Sequence, residues 1–319
     1  IYSHKPISIL RYDVADALGR ADAEASGTIF STKISSPKNT SVYLEYDIDG
    51  GIGGIHIGDV PGTDVKETSI STLVENYNLG NIRIFNETYI DKVCNVSDKV
   101  YENTIDIIIP VYNGFEYFDS LFSSLENTKM DYRLLIVNDK STDERVLPYL
   151  EEYVKRNPRA VLLNNEKNLG FVGSVNSALK KVKNHTVLLN TDVVVPENWL
   201  ERLVTPIICN EKIASATPYT NSGTICSFPN FGVNNEIFEG FSVNEIDEVF
   251  SKIKPQYPEM PTGVGFCMAM NFNVLNEIGL LDDETFGKGY GEENDWCQRA
   301  IKAGYKNVHV ENLFVYHKH

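Results

Sequence analysis

Several patterns are missing from this sequence, and each absence argues against a class of protein. Lys and Arg number 29 against 44 Asp and Glu, and this net charge of -15, without any basic run, argues against binding to nucleic acid or anionic lipid. No apolar stretch is long enough to cross a bilayer, and no signal peptide is visible. The five cysteines form no C-x-x-C pair, which argues against a disulfide framework or a zinc site. The composition therefore favours a cytoplasmic protein with reduced thiols, in which a metal ion would balance any phosphorylated ligand.

The length of 319 residues and a change of texture near residue 100 predict two domains. Residues 1–100 contain strand-like alternation at 41–48 and 81–85, a Gly-rich turn at 50–54 and an Ala-rich helix candidate at 13–24. We interpret this part as a small β-rich accessory domain, for which carbohydrate binding and a packing or assembly role both stay open. Because the chain begins at Ile1, we expect it to be an excerpt of a longer protein, so peripheral attachment at the inner face of a membrane also stays open.

Residues 101–319 alternate strand and helix patterns. Apolar runs start at 105, 134, 161 and 187, and helical spacing follows the first three of them. This order predicts an α/β domain with a mostly parallel sheet and helices on both faces. A further buried strand is expected within 261–270, whereas 228–250 is interpreted as an irregular, aromatic insertion.

Polar residues end three of the predicted strands: Asn113, Asp139 and Asp192. In open α/β sheets ligands bind beyond the carboxyl ends of the strands, so these residues are expected to share one crevice. Between them, the glycines of 168–173 open a helix, and we expect its backbone N–H groups to approach a ligand there. For Asp192 alone, the start of a simple turn before Pro196 is the competing interpretation.

Five motifs occur in order along the second domain. They are Pro110-Val111-Tyr112-Asn113, Val137-Asn138-Asp139-Lys140-Ser141-Thr142-Asp143, Asn168-Leu169-Gly170-Phe171, Leu189-Asn190-Thr191-Asp192 and Gly289-Tyr290-Gly291-Glu292-Glu293-Asn294-Asp295-Trp296. In this order the motifs resemble the family 2 glycosyltransferases of GT-A fold, in particular their bacterial rhamnosyltransferase-like branch. The resemblance covers residues 104–319 and implies transfer of a sugar from a nucleotide-diphosphate-sugar to an acceptor hydroxyl.

The resemblance also implies roles for individual residues. Asp139 resembles the acid that hydrogen-bonds the nucleotide base, and the segment 110–113 resembles the loop beside the nucleoside. The whole donor-binding set that it implies is Pro110, Tyr112, Asn113, Asp139, Asn168, Gly170, Gly173, Asn176, Thr191 and Asp192.

A metal site is implied at the same place. The run Thr191-Asp192-Val193 stands where the family has an Asp-x-Asp metal motif, but only Asp192 is acidic. The family often places a metal-binding histidine after a late strand, and His317 follows such a run, with a surface or core histidine as the alternative. One carboxylate, one imidazole and diphosphate oxygens would suit Mn²⁺ or Mg²⁺.

Three acids crowd the start of the last predicted helix: Glu292, Glu293 and Asp295. Compensation of the helix dipole is the simple interpretation. By analogy with the family, Glu293 is the base that deprotonates the acceptor, Glu292 its substitute, and Asp295 a residue that orients its neighbours or the acceptor. The helix N-terminus lowers a carboxyl pKa and a dry pocket raises it, and the sequence does not decide between them.

The sequence therefore predicts an inverting, metal-assisted glycosyltransferase that uses a UDP- or dTDP-linked donor, in bacterial surface polysaccharide or glycoconjugate assembly. Two alternatives stay open. A nucleotidyltransferase would normally carry a cation in a Gly-rich loop after the first strand, which 110–115 lacks. A catalytically silent sugar- or nucleotide-binding module would bind nucleotide without turnover.

Overall fold

The computed structural model describes residues 40–48, 51–60, 98–236 and 240–318. The chain divides into two compact units, residues 1–89 with 258–260 and residues 90–257 with 261–319. The expected helix at 13–24 and strand at 81–85 lie outside the described residues. Among the described residues, no helix is both long enough and apolar enough to cross a membrane.

The described part of the first unit contains an antiparallel pair, β1 (Thr40–Ile48) and β2 (Gly51–Val60). The glycine cluster was expected to form the turn, but Gly51 already pairs with Ile48 and Gly53 with Tyr46. Glycine is a poor strand former, yet its backbone groups pair as well as those of any residue, so the ladder overrides the local preference.

The later elements follow the predicted alternation. The strands are β3 Ile105–Val111, β4 Tyr132–Asn138, β5 Ala160–Asn164, β6 Thr186–Leu189, β7 Val193–Val194, β8 Ile213–Tyr219, β9 Glu259–Met260, β10 Cys267–Met270, β11 Lys306–Phe314 and β12 Tyr316–His317. The helices are α1 Asp98–Tyr101, α2 Phe118–Glu126, α3 Val146–Arg156, α4 Gly170–Leu179, α5 Trp199–Cys209, α6 Val243–Ser251, α7 Phe272–Ile278, α8 Asp283–Phe286 and α9 Glu292–Lys302, with short 3₁₀ turns at Phe115–Tyr117 and Thr224–Cys226.

The large sheet has the order β5-β4-β3-β6-β10-β8-β11 across the second unit. β10 runs antiparallel to β6 and β8, whereas the other neighbouring pairs are parallel. The parallel strands β3, β4 and β6 therefore end at one edge, and the space beyond their carboxyl ends is called the strand-end crevice below.

Alternate residues of the central strands enter two different cores. Ile107 and Ile109 of β3 pack in a core with residues of α2, α3 and α5, whereas Ile108 packs in a second core with residues of α4, α7 and α9. Leu188 of β6 likewise enters the second core and Leu189 the first. The sheet is thus covered by helices on both faces, and the predicted mostly parallel α/β fold is confirmed.

The aromatic stretch 228–250 is more regular than expected, because it contains α6. Ser242 accepts a hydrogen bond from the Glu245 N–H, and the Glu245 carboxylate accepts one from the Ser242 N–H, which closes a capping box. Asp247 on this helix is buried and pairs with Arg202 of α5. The expectation of an irregular insertion was therefore wrong for residues 243–250.

Candidate active site

The first part of the strand-end crevice is the turn after β3. Pro110 is half-buried within β3, and Tyr112 stands just beyond it with 52% of its surface exposed. Asn113 has φ +57°, and its side-chain oxygen accepts hydrogen bonds from the backbone of Thr142 at 2.8 Å and of Asp143 at 3.0 Å. The Asn113 amide therefore ties the turn after β3 to the turn after β4, whereas the ring of Tyr112 remains available at the surface.

Asp139 holds the loop before α4. Its buried carboxylate accepts hydrogen bonds from the backbone N–H groups of Leu169 at 2.7 Å and Gly170 at 2.8 Å, and from the side chain of Asn165 at 2.8 Å. Phe171 N–H donates to the carbonyl of Lys288. The first amides of α4 are predicted to approach a ligand, whereas in this structure those of Leu169, Gly170 and Phe171 donate to protein oxygens.

Gly170 is required by its surroundings. Its φ is +73°, and an added Cβ would lie 2.7 Å from the Lys288 Cα. We expect Gly170→Ala to lower the free energy of unfolding by about 2–4 kcal/mol, from left-handed strain together with displacement of the 287–291 loop. The matched control is Gly304→Ala, since Gly304 has φ +88° with nothing within 4 Å of an added Cβ. Urea unfolding of both variants measures the difference, and equal losses would show that the Lys288 backbone yields easily.

Four further residues of the predicted set have mainly internal contacts. The Asn176 side chain donates to the Leu281 carbonyl and accepts from the Leu281 N–H, and Gly173 faces Leu169, whose Cβ would lie 2.7 Å from an added Cβ. The Asp295 carboxylate accepts from Arg299 at 2.7 Å. Asn168 is exposed and donates weakly to the Asp139 carbonyl at 3.4 Å. These residues shape the loops that border the crevice.

Asp192 and His317 meet at the end of β6. The two-residue strand β12 pairs antiparallel with β7, which places His317 opposite Val193, and the Lys318 N–H donates to the Asp192 carbonyl at 2.8 Å. His317 Nε2 then lies 3.3 Å from Asp192 Oδ1. Thr191 borders the same space, with its hydroxyl oxygen 3.7 Å from the position of a Cβ on Gly114.

The surroundings of His317 fix its ring. Nδ1 lies 2.7 Å from the Ser222 carbonyl, which can only accept, so Nδ1 donates to it and Nε2 is the ring nitrogen that faces Asp192. Asn221 hydrogen-bonds the backbone N–H and carbonyl of His317, and Phe266 stacks on the ring at 5.1 Å. Sequence reasoning missed these supporting residues, which carry no motif of their own.

This pair fits a divalent ion as two adjacent ligands. Oxygen and nitrogen ligands about 2.1 Å from an ion and at right angles to each other are about 3 Å apart, close to the 3.3 Å observed between Nε2 and Oδ1. Across the described residues, however, there is no cluster of three or more His, Cys, Asp or Glu side chains able to hold a metal. A metal at this pair would therefore need ligand oxygens to complete its coordination.

Glu292 and Glu293 form a buried carboxyl pair at the start of α9. The two groups hydrogen-bond each other, and the Oε2 atom of each is buried without a hydrogen-bond partner among the described residues. Burial, and then the charge of Glu293, raise the pKa of Glu292 to about 8. Burial also raises the pKa of Glu293, while the hydrogen bond from Glu292 favours its charged form. Near neutral pH Glu292 therefore holds a proton, which it donates in the hydrogen bond to Glu293.

The raised pKa of Glu292 predicts a pH-dependent stability. Between the ordinary Glu pKa near 4.5 and the folded value of about 8, the folded state binds the extra proton, so stability falls as pH rises. We expect Glu292→Gln to remove this slope, which is at most about 1.4 kcal/mol per pH unit. Thermal unfolding at pH 6, 7 and 8 measures this slope. Glu151→Gln, which changes an exposed acid on α3, is the matched control. A slope that persists in Glu292→Gln would assign the effect to another group.

The segment 262–266 connects the surroundings of the Asp192–His317 pair with those of the Glu292–Glu293 pair. Thr262 hydrogen-bonds Asn294 on α9, and Gly263 N–H donates to the Cys297 sulfur, so this end of the segment adjoins the Glu292–Glu293 helix. Its other end reaches Phe266, which stacks on His317. Phe171 links the same regions, since an added Cβ on Gly265 or on Gly289 would lie 3.7 Å from its side chain. Residues 262–266 thus join the ring of His317 to the helix that carries the glutamate pair.

The sheet order and the strand-end crevice define a protein of GT-A fold. The chain belongs to the family described as glycosyl transferase family 2, whose model matches residues 106–279, more than half of its length. The predicted membership of the family 2 glycosyltransferases is thereby confirmed.

Individual relatives match over shorter stretches. An uncharacterized glycosyltransferase of Haemophilus influenzae is 31% identical over 117 residues, which is 36% of each chain. A poly(ribitol-phosphate) beta-glucosyltransferase of Bacillus spizizenii is 36% identical over 88 residues, 26% of this chain and 14% of that protein. This chain thus covers about a third of the length of the Haemophilus protein and 14% of the length of the Bacillus protein.

Solved structures show the fold. The crystal structure of GalNAc-T7 with UDP, GalNAc and Mn²⁺ has a TM-score of 0.54 at 19% identity, over 67% of this chain and 44% of that one. At this identity the similarity concerns the architecture of the sheet and its helices.

Proposed function

We propose that this protein is an inverting glycosyltransferase that moves a sugar from a UDP- or dTDP-linked donor to an acceptor hydroxyl of a glycan or glycoconjugate. The observation that carries the proposal is that one segment, residues 262–266, joins the helix of Glu292 and Glu293 to the ring of His317 beside Asp192. Inversion by single displacement needs a base opposite the leaving group and no covalent nucleophile, and we assign that role to Glu293, which accepts a hydrogen bond from the protonated Glu292.

We assign the donor to the strand-end crevice. The exposed ring of Tyr112 is suited to stack on the nucleotide base, beside the turn of Pro110 and Asn113. In the proposal, Asp139 acts by holding the loop of Asn168 and Gly170 against this turn, because its carboxylate already accepts three short hydrogen bonds. The diphosphate would then reach Thr191 and Asp192.

We propose Asp192 and His317 as ligands of a divalent ion, Mn²⁺ or Mg²⁺. When bound there, the ion would neutralise negative charge on the departing diphosphate. The Mn²⁺ and UDP in the GalNAc-T7 structure support this choice by analogy of fold. Titration with different nucleotides and metals determines both the metal ion and the base of the donor.

The proposed biological role is assembly of a bacterial surface polysaccharide or glycoconjugate, which the name of the Bacillus relative supports. We also propose cytoplasmic residence, because nucleotide-sugars are made there and because Cys226, Cys267 and Cys297 are buried thiols. Residues 1–100 are proposed as an accessory domain beside the catalytic residues 101–319.

A binding and turnover panel tests the proposal. Isothermal titration of UDP, dTDP, GDP and CDP, each with Mn²⁺, Mg²⁺ or EDTA, is expected to show metal-dependent binding of UDP or dTDP. Radiolabelled sugar from the matching donor should then enter bacterial envelope acceptors with inverted anomeric configuration. Nucleotide binding without any turnover would favour a silent binding module, and absence of nucleotide binding under every condition would reject the crevice as a donor site.

A further inference from the structure

The strand-end crevice needs a cation that the family motifs do not supply. A donor diphosphate brings negative charge next to Asp192, within a chain of net charge -15. Proteins often bind a phosphate at a helix N-terminus. At the start of α4, however, the amides of Leu169 and Gly170 donate to Asp139, and the amide of Phe171 donates to the Lys288 carbonyl. Positive charge must therefore come from a bound ion and from side chains.

Lys318 lies where such a charge is needed. Its backbone N–H donates to the Asp192 carbonyl at 2.8 Å, and its neighbour His317 faces the Asp192 carboxylate. Its ammonium lies 5.2 Å from the centre of the Tyr117 ring. The same ring lies 3.2 Å from the position of a Cβ on Gly114, in the turn after β3. The exposed lysine thus extends from the end of β12 across the space between the ends of β6 and β3.

We infer that Lys318 binds the diphosphate of the donor, an inference that rests on the proposed function. Its ammonium would donate hydrogen bonds to non-bridging phosphate oxygens on the side facing Tyr117. In the transfer step the acceptor oxygen bonds to the anomeric carbon, and its proton passes to the Glu293 carboxylate. The bond from the anomeric carbon to the phosphate oxygen breaks, and its electron pair stays on the diphosphate. Lys318 stabilises the charge that grows there.

Comparing the binding of a nucleoside with that of its diphosphate separates phosphate binding by Lys318 from recognition of the base. We expect Lys318→Met to weaken UDP or dTDP binding about tenfold or more in isothermal titration with Mn²⁺, and to leave uridine or thymidine binding within about twofold. Lys318→Arg should keep most of the diphosphate affinity. The diphosphate affinity of Lys318→Met should also depend less on salt than that of the wild type. The matched control is Lys129→Met, which removes the same charge from the turn before β4, at the opposite edge of the sheet.

The outcomes distinguish this inference from the proposed function. If wild-type protein binds UDP or dTDP and Lys318→Met binds it equally well, the inference is overturned and the proposed function stands. If Lys318→Met weakens nucleoside and diphosphate alike, Lys318 positions the fold near Tyr117, which also overturns a phosphate role. Lys318→Gln, with a thermal unfolding scan, gives the same comparison should the methionine variant lose its fold. Wild-type protein that binds no nucleotide overturns both.

Discussion

Glu293→Gln is expected to lower the rate of sugar transfer about 10²- to 10⁴-fold while leaving nucleotide affinity nearly unchanged. Gln keeps the size of the side chain and a hydrogen-bond acceptor for Glu292, but it cannot take a proton from the acceptor hydroxyl. The buried Oε2 atom of Glu293 has no hydrogen-bond partner among the described residues, which leaves it able to receive that proton. Initial rates with radiolabelled donor, together with titration of the nucleoside diphosphate, measure the two quantities separately.

The neighbouring residue Glu292 provides the control for the Glu293→Gln experiment. Glu292→Gln retains an N–H donor to Glu293, so we expect a loss of less than about tenfold. The acid limb of the wild-type pH–rate profile should lie above the ordinary Glu pKa of 4.5, because burial raises the pKa of Glu293, and the residual activity of Glu293→Gln should lack that limb. Loss of activity in Glu292→Gln with retention in Glu293→Gln would reverse the assignment of the base.

The central strands could be predicted from the sequence because their signal is local. The uninterrupted apolar run of 187–189 reflects burial on both faces, and Leu188 and Leu189 do enter opposite cores. Alternation of such runs with helical spacing then fixes a parallel sheet, and with it the edge at which Asp192 lies. The capping box of Ser242 and Glu245 was an equally local signal, and attention to it would have predicted α6.

The hydrogen-bond partners of the site residues could not be predicted in this way. Asp139 accepts from residues about thirty positions away, and His317 is oriented by a carbonyl at Ser222, 95 positions away. A backbone carbonyl or amide has no sequence signature, so only the folded chain shows that Asp139 already accepts three hydrogen bonds from within the protein. The same holds for Lys318, which looks like any surface lysine until it is found beside Asp192.

The protonation of the glutamate pair is a third kind of property. In the sequence, the helix N-terminus and a dry pocket act in opposite directions on Glu293. In the structure burial prevails for both carboxyl groups, over the hydrogen bonds from the Tyr290 and Gly291 backbone that lower their pKa values. Desolvation depends on every element packed around the pair, which no motif of eight residues encodes.

Asp192→Ala is expected to abolish the metal dependence of donor binding. If Asp192 Oδ1 and His317 Nε2 are two ligands of one ion, removal of the carboxylate leaves a single protein ligand, and nucleoside diphosphate affinity with Mn²⁺ should fall about 100-fold or more. At ligand concentrations near 100 times the wild-type dissociation constant, this removes most of a stabilisation of about 2.7 kcal/mol, which thermal unfolding resolves. His317→Ala should give the same loss, and the double variant should lose little more, because both act through one ion.

The competing explanation is a structural ion pair between Asp192 and His317. Measurements on the protein without nucleotide distinguish this ion pair from a metal site. An ion pair predicts that each variant lowers the unfolding temperature without nucleotide, and that Mn²⁺ and EDTA give equal UDP affinities in the wild type. A metal site predicts the opposite pattern, with stability lost chiefly when nucleotide and metal are both present. Asp283→Ala is the matched control, since it removes one exposed carboxylate on α8, outside the strand-end crevice. Equal losses in Asp192→Ala and Asp283→Ala would mean that total charge, rather than a ligand position, governs donor binding.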